Sequence, residues 1–180
     1  DTISAAHPHE EILERFRKRN VPILVGTQMV AKGLDFENVT LVGVVAPDLS
    51  LYVDDIRAGE RTFSLLTQVV GRAGRGEKQG RAVIQTFTPD NDVIRFAARQ
   101  DYDNFYATEI EMRRLRGLPP FRDVIVLTAS GLDEGAVLRC CMRLRQAMDQ
   151  ALRGSETQIF GPAPAAVAKV NNRYRYRLTL

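Results

Sequence analysis

One short segment combines an amide, glycines and two arginines at a spacing that suits phosphate chemistry. Gln68, Gly71, Arg72 and Arg75 fall within eight residues. On a helix, Gln68, Arg72 and Arg75 would share one face, while Gly71 would let a ligand or another backbone come close. Crowded guanidinium groups repel each other unless an anion lies between them. Each planar guanidinium can donate two parallel hydrogen bonds to the oxygens of a phosphate. The segment indicates a nucleotide γ-phosphate site, although a solvated basic helix end has the same pattern.

A second candidate site is the loop at residues 25–36, which follows a predicted buried strand. Open α/β sheets bind ligands in the loops at the carboxyl ends of their strands. Thr27 offers a hydroxyl and backbone N–H groups to a phosphate. Gly33 permits a left-handed turn, and Asp35 accepts from a ribose hydroxyl or pairs with an arginine. A connecting loop with a helix-capping glycine is the alternative interpretation.

The sequence offers little for a metal site or for ATP hydrolysis by this chain alone. Cys140 and Cys141 are adjacent, which fits neither zinc-ligand spacing nor an ordinary intrachain disulfide. His7 and His9 have no partner ligands nearby, so we predict no metal site. No Gly-x-x-x-x-Gly-Lys-[Ser/Thr] loop and no acidic box of the Asp-Glu-x-His type occurs, so we expect no efficient hydrolysis without a further lobe.

The elements that position these residues alternate between helix and strand. Buried strands are predicted at 21–25, 39–46 and 82–87, and helices at 8–19, 55–72 and 91–116. The strands are apolar without alternation, which is typical of a parallel sheet covered on both faces. Helices between such strands predict an α/β fold with a parallel sheet.

A Gly/Pro cluster at 117–120 predicts a boundary between domains 1–118 and 119–180. The second domain is predicted to be α+β and incomplete, with a strand at 123–129 and a helix at 133–152. The expected apolar face of that helix consists of Val137, Cys140, Cys141, Leu144, Met148 and Ala151. Strands follow at 157–160, 167–170 and 174–180, the last two joined by a turn at Asn171 and Asn172. We expect a fragment, because the chain starts without Met and stops within a strand pattern.

The end of the chain carries a stripe of basic residues. Arg173, Arg175 and Arg177 would share one face of a strand, opposite the intervening tyrosines and Leu178. The predicted helix before it carries Arg139, Arg143 and Arg153 on its polar face. The two stripes could form one basic surface that follows a DNA backbone. The alternatives are a solvated helix face and a strand whose tyrosines simply pack inward.

Taken together, the two candidate sites resemble motifs V and VI of superfamily 2 helicases, which lie in the second RecA-like lobe of that motor. Gly26-Thr27 with Lys32-Gly33-Leu34-Asp35 carries the first likeness, and Gln68-x-x-Gly71-Arg72-x-x-Arg75 the second. Several further stretches resemble the bacterial replication-restart DNA helicases rather than RNA helicases: 46–48, 54–63, 100–102, 119–121, 161–164 and 172–176. The resemblance covers nearly the whole chain.

The resemblance implies a role for each matching position. Arg75 corresponds to the arginine finger, Arg72 to a phosphate-sensing arginine, and Gln68 to the glutamine that orders the attacking water or the γ-phosphate. Gly33, Asp35 and Gly71 would lie beside the nucleotide. Residues that would contact DNA are Thr27, Gln28, Lys32, Arg173, Arg175 and Arg177.

The resemblance also implies an activity and partners. We expect part of an ATP-dependent 3′-to-5′ DNA helicase that restarts stalled forks and initiates primosome assembly in the bacterial cytoplasm, at the nucleoid. ATP with Mg²⁺ would be completed by the first lobe, and the family's zinc has no ligands in this chain. The implied partners are single-stranded and forked DNA, primosome proteins and single-strand-binding proteins, with an S10-like C-terminal domain on the branched DNA. A non-catalytic DNA-binding or partner-docking module is the alternative.

Overall fold

The computed structural model describes residues 9–18, 22–27, 39–73 and 80–180, and the side chains from residue 13 onward within these ranges. Two compact units make up the chain, Asp1–Glu109 and Ile110–Leu180. The division falls a little before the Gly/Pro cluster at which the sequence places its boundary. The assignment of the two domains to a RecA-like lobe and an S10-like domain stays a prediction.

The first unit is an α/β arrangement with two parallel strands. Its elements are α1 (His9–Lys18), β1 (Leu41–Val45), α2 (Asp48–Leu51), α3 (Ala58–Val70), β2 (Arg81–Gln85), α4 (Asp92–Arg99) and α5 (Tyr102–Arg116), the last of which continues into the second unit. Leu41 of β1 lies opposite Arg81 of β2, and Val45 lies opposite Gln85. The predicted α/β class with parallel pairing is confirmed.

The prediction that the strands are buried on both faces was wrong for the described residues. Exposure alternates along β1 and β2. Val44 and Ile84 pack against the helical core, whereas Val45 on the other face is 76% exposed. A strand is buried on both faces only where a layer covers each face, and the core described here packs against one face.

The strand predicted at 21–25 is also wrong over its described part. Residues 22–27 form neither helix nor strand, and Val25 is 89% exposed. A strand exists through hydrogen bonds to a neighbouring strand. The apolar run from Ile23 to Val25 consists of residues that favour strands, but this propensity alone does not supply a partner strand.

Helices α3, α4 and α5 build the core of the first unit. Its buried members are Phe63, Leu66, Ile94, Ala97 and Phe105. The rings of Phe63 and Phe105 stack with centroids 4.0 Å apart and planes inclined by 7°. Because the core side chains of α3 recur at helical spacing, the opposite side of that helix faces outward.

The helical region predicted at 91–116 is two helices joined by a sharp elbow at Gln100. Gln100 is in the left-handed region with φ of 56°. Its N–H bonds to the carbonyl of Ala97, and the N–H of Asp101 bonds to the carbonyl of Phe96 at 2.9 Å. Asp101 then starts α5 by accepting from the backbone N–H of Asn104 at 3.2 Å. The elbow satisfies the free carbonyls that end α4.

The second unit is a three-stranded antiparallel sheet with one long helix against it. Its elements are β3 (Val126–Gly131), α6 (Glu134–Ala151), β4 (Phe160–Val170) and β5 (Arg173–Thr179), with strand order β3-β5-β4. Asn171 and Asn172 have positive φ in the turn between β4 and β5, which confirms the predicted turn. Leu178, Val137 and Cys141 are buried between sheet and helix.

Two details of the second unit differ from the sequence-based prediction. The strand predicted at 157–160 was wrong except for Phe160, because residues 157–159 form neither helix nor strand. The strand predicted at 167–170 is the end of one long strand, Phe160–Val170, whose register with β5 shifts twice. These irregularities hide the alternation by which a strand is recognised. Cys140, Leu144 and Ala151, predicted on the apolar face of α6, are exposed, because the sheet covers a narrower stripe of the helix.

Candidate nucleotide and nucleic-acid sites

Helix α3 ends beside two of the predicted phosphate-binding residues, since Gln68 lies in its last turn and Arg72 follows its last residue, Val70. Asp55 supports the turn that precedes this helix: its carboxylate accepts from the N–H of Arg57 at 2.8 Å and pairs with Arg61 at 2.6 Å. The burial of Phe63 and Leu66 sets the rotation of the helix. Gln68 is therefore exposed, and its Nε2 lies 3.5 Å from Ser64 Oγ.

The carboxyl end of α3 tightens before Arg72. The N–H of Gly71 reaches back four residues to Thr67 at 3.0 Å, whereas the N–H of Arg72 reaches back three, to Val69, at 3.1 Å. The helix predicted to residue 72 ends at Val70, since glycine is a poor helix former. The predicted end of the helix was therefore wrong by two residues, and Arg72 lies in the turn that follows it. The shared face of Gln68, Arg72 and Arg75 stays a prediction.

The environment of Arg72 suits an anion-binding role. The residue is half-buried, and its Nε atom is shielded from solvent. The exposed side-chain amide of Gln68 precedes Gly71 in the sequence, and the guanidinium of Arg72 follows it, so hydrogen-bond donors flank Gly71 along the chain. A partly buried guanidinium binds phosphate more strongly than a fully solvated one, because screening by water is weaker.

Gly71 makes a close approach rather than an unusual backbone turn. Its φ of −67° is open to any residue. A Cβ at this position would lie 3.2 Å from the carbonyl oxygen of Thr67 and 3.3 Å from Nε2 of Gln100. The side chain of Gln100, at the α4–α5 elbow, thus occupies the space beside Gly71. Sequence reasoning missed this contact, because the two residues lie far apart in the chain.

Five of the predicted site residues lie outside the described residues: Arg75, Gly33, Asp35, Gln28 and Lys32. Thr27 is described, and it is exposed in the segment 22–27. Their predicted roles stay predictions.

Asp48 organises the carboxyl ends of β1 and β2. This carboxylate is buried. It accepts from the hydroxyls of Thr86 at 2.6 Å and Thr88 at 2.7 Å, and from the N–H of Phe87 at 3.3 Å. Those hydrogen bonds, that of Thr86 foremost, lower the pKa of Asp48 to about 2. The sequence signal was weak: an acidic residue in the first turn of a four-residue helix.

The arginine stripe lies on the open face of the second sheet. The hydroxyl of Tyr176 bonds to Glu134 of α6 at 2.8 Å, which raises the pKa of Tyr176, and Leu178 is 1% exposed. Since side chains alternate along a strand, the arginines lie on the face opposite the tyrosines, as predicted, and this face points away from α6. Arg173 is exposed, while Arg175 and Arg177 are half-buried.

The partners of this stripe across the sheet carry no negative charge. The residues in register with the three arginines are Ser130, Thr128, Ala163 and Val170. Thr128 and Ser130 are exposed, and their hydroxyls add hydrogen-bonding groups beside the guanidinium groups. This face presents the donors that a phosphate backbone requires.

The arginines of α6 do not extend this surface. Val137 and Cys141 of α6 are buried, whereas Arg139 and Arg143 lie on the solvent side of the helix and are exposed. Arg139 lies 3.8 Å from Asp133. The idea that both stripes form one basic surface was wrong, because α6 packs on the tyrosine face and carries its arginines to the opposite side of the unit.

Within the described ranges, no cluster of three or more His, Cys, Asp or Glu residues is arranged to hold a metal ion. None of the helices in those ranges combines the length and the apolar character required to cross a membrane.

Comparison with known proteins assigns both parts of the chain. Residues 6–77 match the helicase conserved C-terminal domain, and residues 114–180 match the primosomal protein N C-terminal domain. The replication restart protein PriA of Bacillus subtilis is 41% identical over 180 residues, which are all of this chain and 22% of that protein. Its Synechocystis counterpart is 40% identical over 99% of this chain and 21% of its own length. The chain thus spans about a fifth of these relatives.

Proposed function

Because this chain belongs to the PriA family of replication restart proteins, we propose that it forms the second motor lobe and the C-terminal domain of an ATP-dependent 3′-to-5′ DNA helicase. In this role it restarts stalled replication forks and initiates primosome assembly. The observation that carries the proposal is the carboxyl end of α3, where Gln68 and the half-buried Arg72 border the close-packed Gly71.

The residues present fit one part of a nucleotide site. Guanidinium and amide donors suit a γ-phosphate, whereas the sequence has no phosphate-cradling loop. We therefore assign the cradle and the Mg²⁺ ligands to a first lobe outside this chain. When bound, ATP with Mg²⁺ supplies a phosphoryl group on which negative charge must be stabilised during transfer.

Each predicted site residue has a separate task in this proposal. Arg75 places its guanidinium against the developing charge, as an arginine finger does. Arg72 holds the γ-phosphate oxygens and senses their loss, and Gln68 orients the attacking water through its exposed amide. Gly33 and Asp35 border the ribose. Loss of the phosphate contacts separates the lobes, and Thr27, Gln28 and Lys32 then shift along the DNA strand.

The arginine stripe of β5 supplies the DNA contact of the C-terminal domain. Arg173, Arg175 and Arg177 follow a phosphate backbone on the open sheet face, without reading base sequence. The partners in this proposal are single-stranded and forked DNA, with primosome and single-strand-binding proteins at the fork in the bacterial cytoplasm.

The test is DNA-stimulated ATP hydrolysis by the complete helicase chain with Arg75→Ala. We expect turnover to fall roughly 10³-fold or more, while ATP binding is retained. Arg95→Ala is the matched control, because Arg95 forms a surface ion pair with Asp92. Unchanged turnover in Arg75→Ala would contradict the finger assignment.

A second candidate function rests on the open arginine face: a non-catalytic module that docks on DNA. Under this alternative the complete chain binds forked DNA but hydrolyses no ATP with or without DNA, and Arg75→Ala changes nothing. Measurable DNA-stimulated hydrolysis by the complete chain excludes it.

A further inference from the structure

The elbow between α4 and α5 reaches the end of helix α3. The Nε2 of Gln100 lies 3.3 Å from the point that a Cβ on Gly71 would occupy. Two carbonyl oxygens of the last turn of α3, those of Thr67 and Gln68, lie 3.2 and 3.8 Å from the same point. The side-chain amide of Gln100 therefore shares one small space with the backbone that leads into Arg72.

The backbone of Gln100 makes this placement informative. Its φ of 56° is a conformation in which glycine is unstrained and a glutamine is strained. Glycine is the common residue at such a helix end. A glutamine at this position keeps the backbone strain that a glycine would remove. In return it places a side-chain amide beside Gly71.

We propose that Gln100 is a positioning residue for the phosphate-binding turn. Its amide packs against the backbone of Gly71 and holds the path of the chain into Arg72. The inference rests on the function proposed above for Arg72 and Arg75. Gln100 touches neither nucleotide nor DNA in this account, and it acts only through the backbone of the turn.

The turn needs such support because glycine weakens it. Residues 71, 72 and 74 read Gly, Arg and Gly, and each glycine widens the range of accessible backbone conformations. The backbone N–H groups of Arg72 and Ala73 each bond to the carbonyl three residues earlier, which constrains the backbone on the side of α3. A displacement of about 1 Å at a reacting group can cost roughly 10²-fold in rate, so a neighbour that confines the turn has a measurable effect on turnover.

The experiment compares Gln100→Gly and Gln100→Glu in the complete helicase chain. Gln100→Gly removes the amide and relieves the backbone, so the melting temperature should be unchanged or higher. Gln100→Glu keeps the shape but replaces the donor with a carboxylate beside helix-terminal carbonyls. For both, we expect kcat of DNA-stimulated ATP hydrolysis to fall roughly 10-fold or more, with KM for ATP changed less than about twofold.

A second readout does not depend on hydrolysis. Amide hydrogen exchange of residues 68–73 should be about tenfold faster or more in both variants. In Gln100→Gly this faster exchange should occur although the melting temperature is no lower than that of the unmodified protein. Gln158→Glu is the matched control, since Gln158 is exposed in the second unit. A merely structural Gln100 would leave kcat unchanged in Gln100→Gly.

The outcomes separate this inference from the function on which it rests. If Arg75→Ala abolishes hydrolysis while both Gln100 variants keep normal kcat and exchange, the positioning role is overturned and the motor stands. If Arg75→Ala has no effect, the finger assignment fails, and with it the catalytic role of Gln100. Faster exchange in that case would leave Gln100 only as a support of the turn.

Discussion

The hydroxyl of Tyr176 donates a 2.8 Å hydrogen bond to the carboxylate of Glu134. This contact fixes which face of β5 packs against α6. Because Tyr176 faces the helix, Arg175 and Arg177 on either side of it face the open side of the sheet. The basic stripe and the arginines of α6 consequently form two separate surfaces.

The first prediction concerns the stripe. Arg173→Ala combined with Arg175→Ala should weaken DNA binding and flatten its dependence on salt, by roughly 1–2 in the slope of log K against log salt. The measurement is fluorescence anisotropy with forked DNA across a salt series. Arg139→Ala with Arg143→Ala removes the same charge from the opposite side and should change the slope less. Equal slopes for the two pairs would mean that only net charge matters.

The second prediction distinguishes charge from shape at Arg72. Arg72→Lys in the complete chain should lower kcat at least about tenfold although the charge is kept, because lysine lacks the planar fork that binds phosphate oxygens bidentately. Steady-state ATP hydrolysis measures this, with Arg95→Lys on the surface of α4 as the control. Wild-type turnover in Arg72→Lys would show that a point charge is sufficient.

The third prediction is a pH dependence from Asp48. Its pKa is lowered to about 2, first by the hydroxyl of Thr86. A carboxyl with a lowered folded-state pKa adds stability above its unfolded pKa, and this stability is lost as pH falls through the folded value. Melting temperature should therefore fall between about pH 4 and about pH 2. Asp48→Asn should melt several degrees lower at neutral pH and show a shallower decline.

Circular dichroism melts over that pH range would test this prediction. Asp92→Asn serves as the control, because Asp92 makes only a surface pair with Arg95 among the interactions described. The prediction fails if Asp48→Asn melts like the unmodified chain at every pH.

The fourth prediction separates the two adjacent cysteines. Cys140 is exposed and Cys141 is buried, and burial raises the pKa of Cys141. Because the thiolate is the reactive form, Cys140 should be alkylated rapidly at pH 8 and Cys141 only after unfolding. Thiol titration of Cys140→Ser should lose the fast phase, and Cys141→Ser should keep it. Two fast phases in the unmodified chain would contradict this placement of α6.

Local patterns were sufficient for much of the fold. The parallel pairing of β1 with β2, the helices α3 and α6, and the turn at Asn171 and Asn172 follow from apolar periodicity and from residues that accept positive φ. The predictions that were wrong concern strands, whose formation depends on a neighbouring strand. The apolar run from Ile23 to Val25 was expected to pair with another strand, and the irregular strand β4 was predicted as two separate strands. Both errors arise because the local sequence does not specify which strand a segment pairs with.

The residues near the phosphate-binding turn divide in the same way. The identity and spacing of Gln68, Gly71 and Arg72 could be read directly, since type and spacing are properties of the chain. That Arg72 leaves the helix in a tighter turn, that Gln100 fills the space beside Gly71, and that Asp48 binds the loop after β2 depend on contacts between distant segments. Such contacts arise only when burial of Phe63, Leu66 and Phe105 has fixed how the helices pack. Residue type and spacing are therefore readable from the sequence, while the contacts that hold these residues in place are decided by packing.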